Sequence, residues 1–371
     1  MHTRSPVRVH VAMLLLGLVQ SSAACRSQQP SIHDSTEALP EVAGWIVKSR
    51  PRGGIVAWSL PARLESVVRV PAAERVERFS TVHALAGPDA EGRIAYLEDR
   101  FFGEAEAERS HALKTIRVDG TEDRRIFERA GSAMWAGSAI GHGEVGKQLA
   151  LAPTGGLVSF VSGLSPKQMP GSLLLNGTLE VWNVVDGVRV PSQQSALDLP
   201  MSWFQGGRQL CFVKLVARAD LPASVGELDA YGSFVRSWDE VPAVHVLDLD
   251  SGRSRFLHVG WLPVVASDGR SVLVGWWHSN SELAWRRVDV ATGHTSPLPL
   301  PRDAQCLAAL PFDRVVFRSA MGSEERATGR WPSGKPPRLA VWIARLGTGE
   351  RASLLDDVDP LDCVSFGIDP K

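Results

Sequence analysis

The sequence has few cysteines and a net charge of only −1, and each of these two scarcities excludes a class of protein. Four cysteines in 371 residues are too few for a scaffold built on disulfides, and a chain of this length buries a core without them. Forty basic against forty-one acidic residues leave no basic surface for nucleic acid. Stretches with helical periodicity are nearly absent, which favours an all-β fold.

The longest uncharged apolar run covers residues 11–19; it follows Arg4 and Arg8 and precedes small residues and Cys25. A charged start, an apolar segment of about ten residues and a small-residue cleavage site define a secretory signal. The run is shorter than the roughly 20 residues that span a bilayer. The predicted organisation has three parts: a signal peptide at residues 1–24, a flexible polar tether at residues 25–40 and a single folded domain at residues 41–371.

Two interpretations of the cleavage site remain open. Ser22 and Ala24 suit an ordinary signal peptidase, which would release a soluble periplasmic or secreted protein. Residues 22–25 (SAAC) also resemble a bacterial lipobox, although Ser22 replaces the usual Leu. Because a lone cysteine directly after the cut has no structural role in a tether, we predict lipid attachment at Cys25. The protein would then lie at the periplasmic face of the outer membrane and contact the membrane through this anchor only.

A turn followed by a short apolar strand recurs five times, as in GGRQLCFV from Gly206 and DGRSVLVGW from Asp268. An alternating strand, a glycine-bearing turn and another strand follow each time, as in AVHVLDLDSGRSRFL, and an apolar stretch precedes each unit. Alternation around such turns predicts hairpins. Each unit therefore predicts four antiparallel strands, and five complete units cover residues 80–360.

The residues outside these units predict a sixth. Residues 55–70 contain two strands without a first strand before them, and residues 361–368 are a first strand with nothing after it. Residues 48–52 (KSRPR) are predicted to be a solvated loop. Pairing the two ends closes a ring and removes exposed sheet edges. We predict a six-bladed β-propeller of four-stranded antiparallel blades, closed by its N- and C-terminal strands; seven blades are the alternative because the unit spacing is irregular.

The repeats resemble a known family. MSWFQGGRQLCFV followed by HVLDLDSGR, and PVVASDGRSVLVGW followed by VDVATG, are similar to the TolB-type propeller repeat, with its Pro-Asp-Gly-Arg turn and outer Asp-x-x-(Ser/Thr)-Gly hairpin. The resemblance covers most of residues 80–360, and residues 268–270 keep three of the four turn residues. It implies a periplasmic scaffold or a propeller like that which gates prolyl oligopeptidases, without their hydrolase domain. The repeat residues shape turns and are not site candidates.

We predict neither a cofactor nor a metal. The GxGxxG pattern at residues 141–146 continues into a strand instead of a helix, and residues 248–252 lack the closing glutamate of a calcium loop, with Val259 in its place. The histidines lack the spacing of zinc ligands, and no GxSxG nucleophile motif occurs. An oxidising compartment would permit a disulfide between Cys306 and Cys363.

Unit lengths vary chiefly between the second and third strands, at residues 98–111, 163–172, 217–241 and 320–337. Equivalent loops of a propeller lie on one face, so these insertions would crown one end of the ring. They carry aromatic residues, which are typical of contact surfaces. The predicted contact residues are Phe101, Phe102, Tyr231, Phe234, Trp238 and Trp331. The alternative is that these aromatics pack back onto the propeller and cap it.

From these features we predict a monomeric, non-enzymatic envelope protein that uses the loop-crowned face to bind a protein or a cell-wall component. The alternative is a propeller enzyme, a hydrolase or lyase acting on a saccharide, lactone or peptide, with its active site around the central channel. The channel lining discriminates between them. Converging carboxylates or histidines favour the enzyme, whereas apolar first strands such as CLAALP and WLPVVA favour the binding protein.

Overall fold

The computed structural model describes residues 42–50, 54–69, 78–102, 108–131, 145–169, 172–225, 238–279, 282–320, 339–358 and 363–368. These ranges form six antiparallel sheets, each one blade of a propeller. The predicted all-β, six-bladed architecture is confirmed. The predicted signal peptide, Cys25 and the whole predicted tether at residues 25–40 lie outside the described residues. In the described part of the chain, no helix is long and apolar enough to cross a membrane.

Each blade is a run of four neighbouring strands. Blade 1 contains β1 (Gly44–Arg50), β2 (Gly54–Leu60), β3 (Leu64–Arg69) and the C-terminal β25 (Val364–Ile368). Blade 2 contains β4 (Arg78–Ala86), β5 (Arg93–Phe102), β6 (Glu108–Arg117) and β7 (Arg124–Gly131). Blade 3 contains β8 (Val145–Leu151), β9 (Leu157–Met169), β10 (Ser172–Asn183) and a broken fourth strand, β11 (Val188–Val190) and β12 (Ser195–Leu197).

The remaining blades follow the same order. Blade 4 contains β13 (Ser202–Trp203), β14 (Gln209–Ala217), β15 (Glu240–Asp248) and β16 (Arg253–Val259). Blade 5 contains β17 (Leu262–Val265), β18 (Ser271–Ser279), β19 (Glu282–Asp289) and β20 (Thr295–Pro297). Blade 6 contains β21 (Gln305–Leu310), β22 (Arg314–Ala320), β23 (Leu339–Arg345) and β24 (Arg351–Val358). Two 3₁₀ turns, Arg218–Asp220 and Ala223–Val225, follow β14.

The two ends of the chain close the ring, as predicted, but with one more strand than expected. β25 pairs with β1 from Gly44↔Ile368 to Lys48↔Val364. Blade 1 therefore takes three strands from the N-terminal side and one from the C-terminal side. The first strands of successive blades also contact one another around the whole circle, including β21 with β25 and β25 with β4. The prediction of a loop at residues 48–52 is wrong for residues 48–50, which lie in β1.

The turns between first and second strands show why the repeat keeps its glycines. Gly207 and Gly269 have φ of 64° and 63°, a region that a glycine adopts without steric cost. Asp268 supports its turn by accepting a hydrogen bond from the backbone N–H of Arg270 at 2.8 Å. Blade 6 departs from this pattern, because Phe312 and Asp313 adopt φ of 61° and 54° without a glycine. The Phe312 side chain is 84% exposed.

The hydrophobic core is divided among the six seams between neighbouring blades. One buried cluster fills each seam; Val47, Tyr96 and Ile116 belong to the seam between blades 1 and 2, and Ile46 and Phe366 to the seam between blades 6 and 1. The other four clusters fill the seams between blades 2 and 3, 3 and 4, 4 and 5, and 5 and 6. Because every blade is packed on both sides, apolar burial contributes to every seam of the ring.

Candidate functional site: the crowned face and its polar seam

One face of the propeller carries the connections between the second and third strands. In an antiparallel blade these connections lie at the end opposite the turns between first and second strands, so equivalent connections share a face in all six blades. We call it the crowned face; the second and third strands of the six blades meet it at residues 50 and 54, 102 and 108, 169 and 172, 217 and 240, 279 and 282, and 320 and 339. The opposite side, the turn face, carries the turns at residues 87–92, 152–156, 204–208, 266–270 and 311–313.

Two of the four predicted insertions are strands, not loops. β5 extends to Phe102 and β6 begins at Glu108, paired with each other in register. β9 and β10 likewise form a long hairpin that pairs Met169 with Ser172. Turn-forming residues such as Pro166 interrupt the alternating pattern that would identify these segments as strands. The predicted position of all four insertions, between second and third strands, agrees with the structure.

The predicted contact residues have different outcomes. Phe101 and Phe102 lie in β5, paired with Arg109 and Glu108, and their side chains lie outside the described part of the structure. Tyr231, Phe234 and Trp331 belong to residues that the structure does not describe.

Trp238 does not lie on an exposed surface. Its side chain is 1% exposed and belongs to the cluster between blades 4 and 5. Its ring centroid lies 5.4 Å from that of Trp261 at an interplanar angle of 52°, a distance typical of aromatic pairs. For this residue the alternative interpretation is the correct one: the tryptophan caps the core.

The long hairpin of blade 3 bends across blade 4 and completes this cap. Met169 and Leu174, on either side of its tip, are buried in the same cluster as Trp238. The bend begins at Gly163, whose φ is +62°, beside a register shift between Asn176 and Thr178.

A surface ion pair then fastens the hairpin to blade 4. The Nζ of Lys167 lies 2.6 Å from the Oε2 of Glu240, at the start of β15. Both side chains are partly exposed, so this pair contributes less than the apolar contacts below it.

A row of polar side chains crosses blade 2 below the crowned face and points toward blade 3. In the middle, Asp99 of β5 is 3% exposed. Its Oδ1 lies 2.5 Å from the Nδ1 of His111 in β6 and 3.0 Å from the Nδ1 of His83 in β4. An ionised Asp99 only accepts hydrogen bonds, and in that state the Nδ1 of His111 carries the proton and donates it.

The outer end of this row joins blade 3. Arg129 of β7 is the cross-strand partner of His111 and binds both carboxylate oxygens of Glu180, at 2.9 and 3.0 Å. Ser162 and Trp182 also donate hydrogen bonds to Glu180. Burial would raise the pKa of this carboxyl, but the bonds from Arg129, Ser162 and Trp182 outweigh it and hold the pKa below its usual value.

The opposite side of β5 carries a second polar group, which joins blade 2 to blade 1. Glu98 is 1% exposed; Arg69 of β3 and Lys114 of β6 reach its two oxygens at 2.5 and 3.0 Å. Burial opposes ionisation, yet these two cations lower the pKa of Glu98 to about 2. The Arg69 guanidinium also lies 5.3 Å from the ring of Tyr96. Blade 2 is thus joined to blade 1 through Glu98 and to blade 3 through Arg129.

The innermost strands are otherwise mostly apolar. β17 reads LPVV and β25 reads VSFGI, and His83 is the one imidazole among the described side chains of these strands. Its side chain is 16% exposed. Blade 2 is therefore the place where the described innermost strands carry an imidazole beside a buried carboxylate.

The structure gives no support for a metal site or a disulfide. Among the described residues, no three His, Cys, Asp or Glu side chains are arranged to hold a metal ion. Cys306 and Cys363 are not joined in a disulfide in the described structure. Cys306 packs against the cluster between blades 5 and 6, whereas Cys363 packs against the one between blades 1 and 2. Because the two side chains serve different seams, the bond permitted by the sequence is not formed.

Sequence reasoning missed the polar row. Its members come from β4, β5, β6, β7 and β10, and Arg129 and Glu180 are 51 residues apart. A signal was present in β5, where Glu98 and Asp99 follow the apolar residues IAYL. Two acidic residues inside a strand that is buried on both faces require partners, and this requirement predicts a polar seam without identifying the partners.

Comparison with known proteins supports the fold. No protein-family model matches the sequence, and no curated protein matches it. TolB from Acinetobacter baumannii is 14% identical, with 88% of this chain and 67% of that one aligned at a TM-score of 0.52. A putative TolB from Agrobacterium tumefaciens is 13% identical over 90% of this chain and 100% of that one, at 0.47. A puromycin-hydrolyzing peptidase of Mycobacterium tuberculosis is 14% identical over 87% and 54%, at 0.44. At such identities the likeness concerns architecture alone: the chain has a TolB-like β-propeller fold.

Proposed function

We propose that this chain is an exported, lipid-anchored propeller of the bacterial cell envelope that binds a protein or a cell-wall component through its crowned face. The observation that carries the proposal is that the longest segments of the blades all lie between second and third strands. The extended hairpins of blades 2 and 3 and the long connections 218–239 and 321–338 all belong to the crowned face. The turn face has compact, mostly glycine-bearing turns.

The cap excludes three residues from the binding surface. Met169, Leu174 and Trp238 are buried in the cluster between blades 4 and 5, so a partner cannot contact them. The predicted contact aromatics that remain are Phe101, Phe102, Tyr231, Phe234 and Trp331. A binding surface needs a few such anchors among weaker contacts, and the two long connections supply three of them.

The proposal predicts that loss of these anchors weakens binding without weakening the fold. Tyr231→Ala, Phe234→Ala and Trp331→Ala should each change the free energy of unfolding by less than about 0.5 kcal/mol. At least one should reduce capture of the envelope partner tenfold or more, measured with the full chain as bait against solubilised envelope proteins and isolated cell wall. Phe312→Ala is the matched control, because Phe312 is an exposed aromatic of the turn face.

Two outcomes would change the proposal in different ways. If capture survives all three substitutions, the crowned face is not the binding surface. If the full chain is recovered in the soluble fraction of its cells, Cys25 does not carry a lipid anchor, and the proposed binding face is unaffected by that result.

The polar row favours a second candidate function, a hydrolase or lyase acting at the channel. Asp99 with His83 and His111 is a carboxylate–imidazole group of the type that transfers protons in catalysis. If it does so, Asp99→Asn should lower turnover of a saccharide, lactone or peptide substrate about 10²–10⁴-fold, whereas Asp250→Asn, an exposed change on the turn face, should not. Absence of turnover by the wild-type chain across such a panel would dismiss this candidate.

A further inference from the structure

Blade 4 carries a buried histidine on each of its two faces. His245 lies in β15 between Val244 and Val246, which face blade 5, so its own side chain points toward blade 3. His258 of β16 is the register partner of Val244 and therefore faces blade 5. The two imidazoles are 6% and 7% exposed.

The surroundings of His245 are apolar. Its ring lies between Phe212 and Phe256, with centroid distances of 6.0 and 5.8 Å. Both ring nitrogens are buried without a hydrogen-bond partner in the described structure. The charged group that faces the ring is Lys214 of β14. Such a site favours the neutral ring, because burial and a nearby cation both oppose a positive charge.

His258, like His245, is buried near a positively charged side chain. Its Nδ1 lies 2.8 Å from the carbonyl oxygen of Val259, and the charged group that acts on it is Arg286 of β19 in blade 5. Burial lowers the pKa of His258, and Arg286 lowers it further, against the opposing effect of the Val259 carbonyl. For His245, burial and Lys214 lower the pKa to about 3.

We propose that blade 4 is an acid-sensitive element of the ring, which separates from blades 3 and 5 when His245 and His258 take up protons. A positive charge on either ring would be buried in a seam and would lie near a second cation, Lys214 or Arg286, and burying such a charge is costly. Protonation therefore requires the seams to open. Blade 4 is suited to this role because it has one histidine at each seam. Protonation of both would therefore weaken its packing against blade 3 and against blade 5 at the same time.

The direction of the pH dependence follows from proton linkage. In the open state both histidines regain an ordinary pKa near 6.5, whereas in the closed state they stay neutral to lower pH. The open state therefore binds more protons below about pH 6.5, and acid favours it. Each histidine raises the opening equilibrium constant up to tenfold per pH unit, and the two together up to about a hundredfold. For His245 this continues down to about pH 3.

Opening would also disturb the cap on the crowned face. Trp238, Met169 and Leu174 pack against blade 4 and blade 5 residues of the same cluster, and Lys167 reaches Glu240 of β15. Acid would then weaken binding at this face; this step alone rests on the proposed function. The acid-sensitive blade itself does not depend on it.

Amide hydrogen exchange of the full chain between pH 7 and 4.5, corrected for the intrinsic exchange rate, tests the proposal. Protection of β15 and β16 should fall up to a hundredfold per pH unit below about 6.5, while β22 and β23 of blade 6 keep theirs. His245→Phe should reduce the slope to the part that His258 contributes, and the double variant His245→Phe/His258→Gln should remove it. His294→Ala is the control, because His294 lies in an exposed turn of blade 5.

Several results would overturn the proposal. Protection that falls equally in all six blades would indicate general acid unfolding, and a slope that survives in the double variant would exclude these histidines. His245→Leu serves as a second variant where phenylalanine overfills the site, and it must give the same reduced slope. Loss of partner capture at pH 5 without a change in blade 4 exchange would refute the switch and leave the proposed function standing.

Discussion

Deletion of residues 361–371 is expected to abolish the cooperative unfolding transition and to drive the protein into aggregates. The deletion removes β25, the innermost strand of blade 1, whose Phe366 is 9% exposed in the seam between blades 6 and 1. It leaves β1 as an unpaired sheet edge beside the channel, and such edges pair with other chains. Differential scanning calorimetry and size-exclusion chromatography measure the two effects.

Two controls make this result specific to ring closure. Deletion of residues 369–371 alone, beyond the paired register, should leave both measurements unchanged. A synthetic peptide of residues 361–371, added to the truncated chain during refolding, should restore the transition in part. A truncated chain that stays monomeric and melts like the full one would show that β25 does not hold the ring closed.

The closing blade shows which strands can be predicted from sequence. β25 and the hairpin of β2 and β3 were predicted, because their apolar runs are flanked by turns. β1 was missed, although Ile46 and Val47 are both fully buried. As the second strand of its blade, β1 is buried on both faces, so its apolar residues do not alternate. Lys48 and Arg50 near its C-terminal end give this short strand the composition of a loop.

The candidate site was less predictable than the fold for a related reason. The turn motifs are local: a single segment, residues 268–270, supplies the side-chain acceptor and the glycine that the turn needs. The polar seams depend on strand register instead. Asp99 contacts His111 because the register of β5 and β6 places the two residues opposite each other. Glu180 contacts Arg129 only after blade 3 has packed against blade 2. The sequence shows which polar residues are present, but it does not show which of them come into contact.

Trp238 is a similar case, in which local sequence misled. Its neighbours Ser237, Asp239 and Glu240 are polar, so the segment was predicted to be an exposed loop with contact aromatics. The residues that bury Trp238 come from elsewhere: Trp261 from the start of blade 5 and Met169 from the hairpin of blade 3.

Trp238→Ala is therefore expected to destabilise the protein by about 3–5 kcal/mol, the usual cost of truncating a buried tryptophan. The change removes the ring that contacts Trp261 and leaves a cavity beneath the blade 3 hairpin, so exchange protection at Met169 and Leu174 should fall as well. Trp238→Phe keeps an aromatic partner for Trp261 and should lose much less. Chemical denaturation monitored by circular dichroism gives the free energies of unfolding. A loss of under about 0.5 kcal/mol, as for an exposed residue, would show that Trp238 is exposed on the contact surface and does not form a cap over the core.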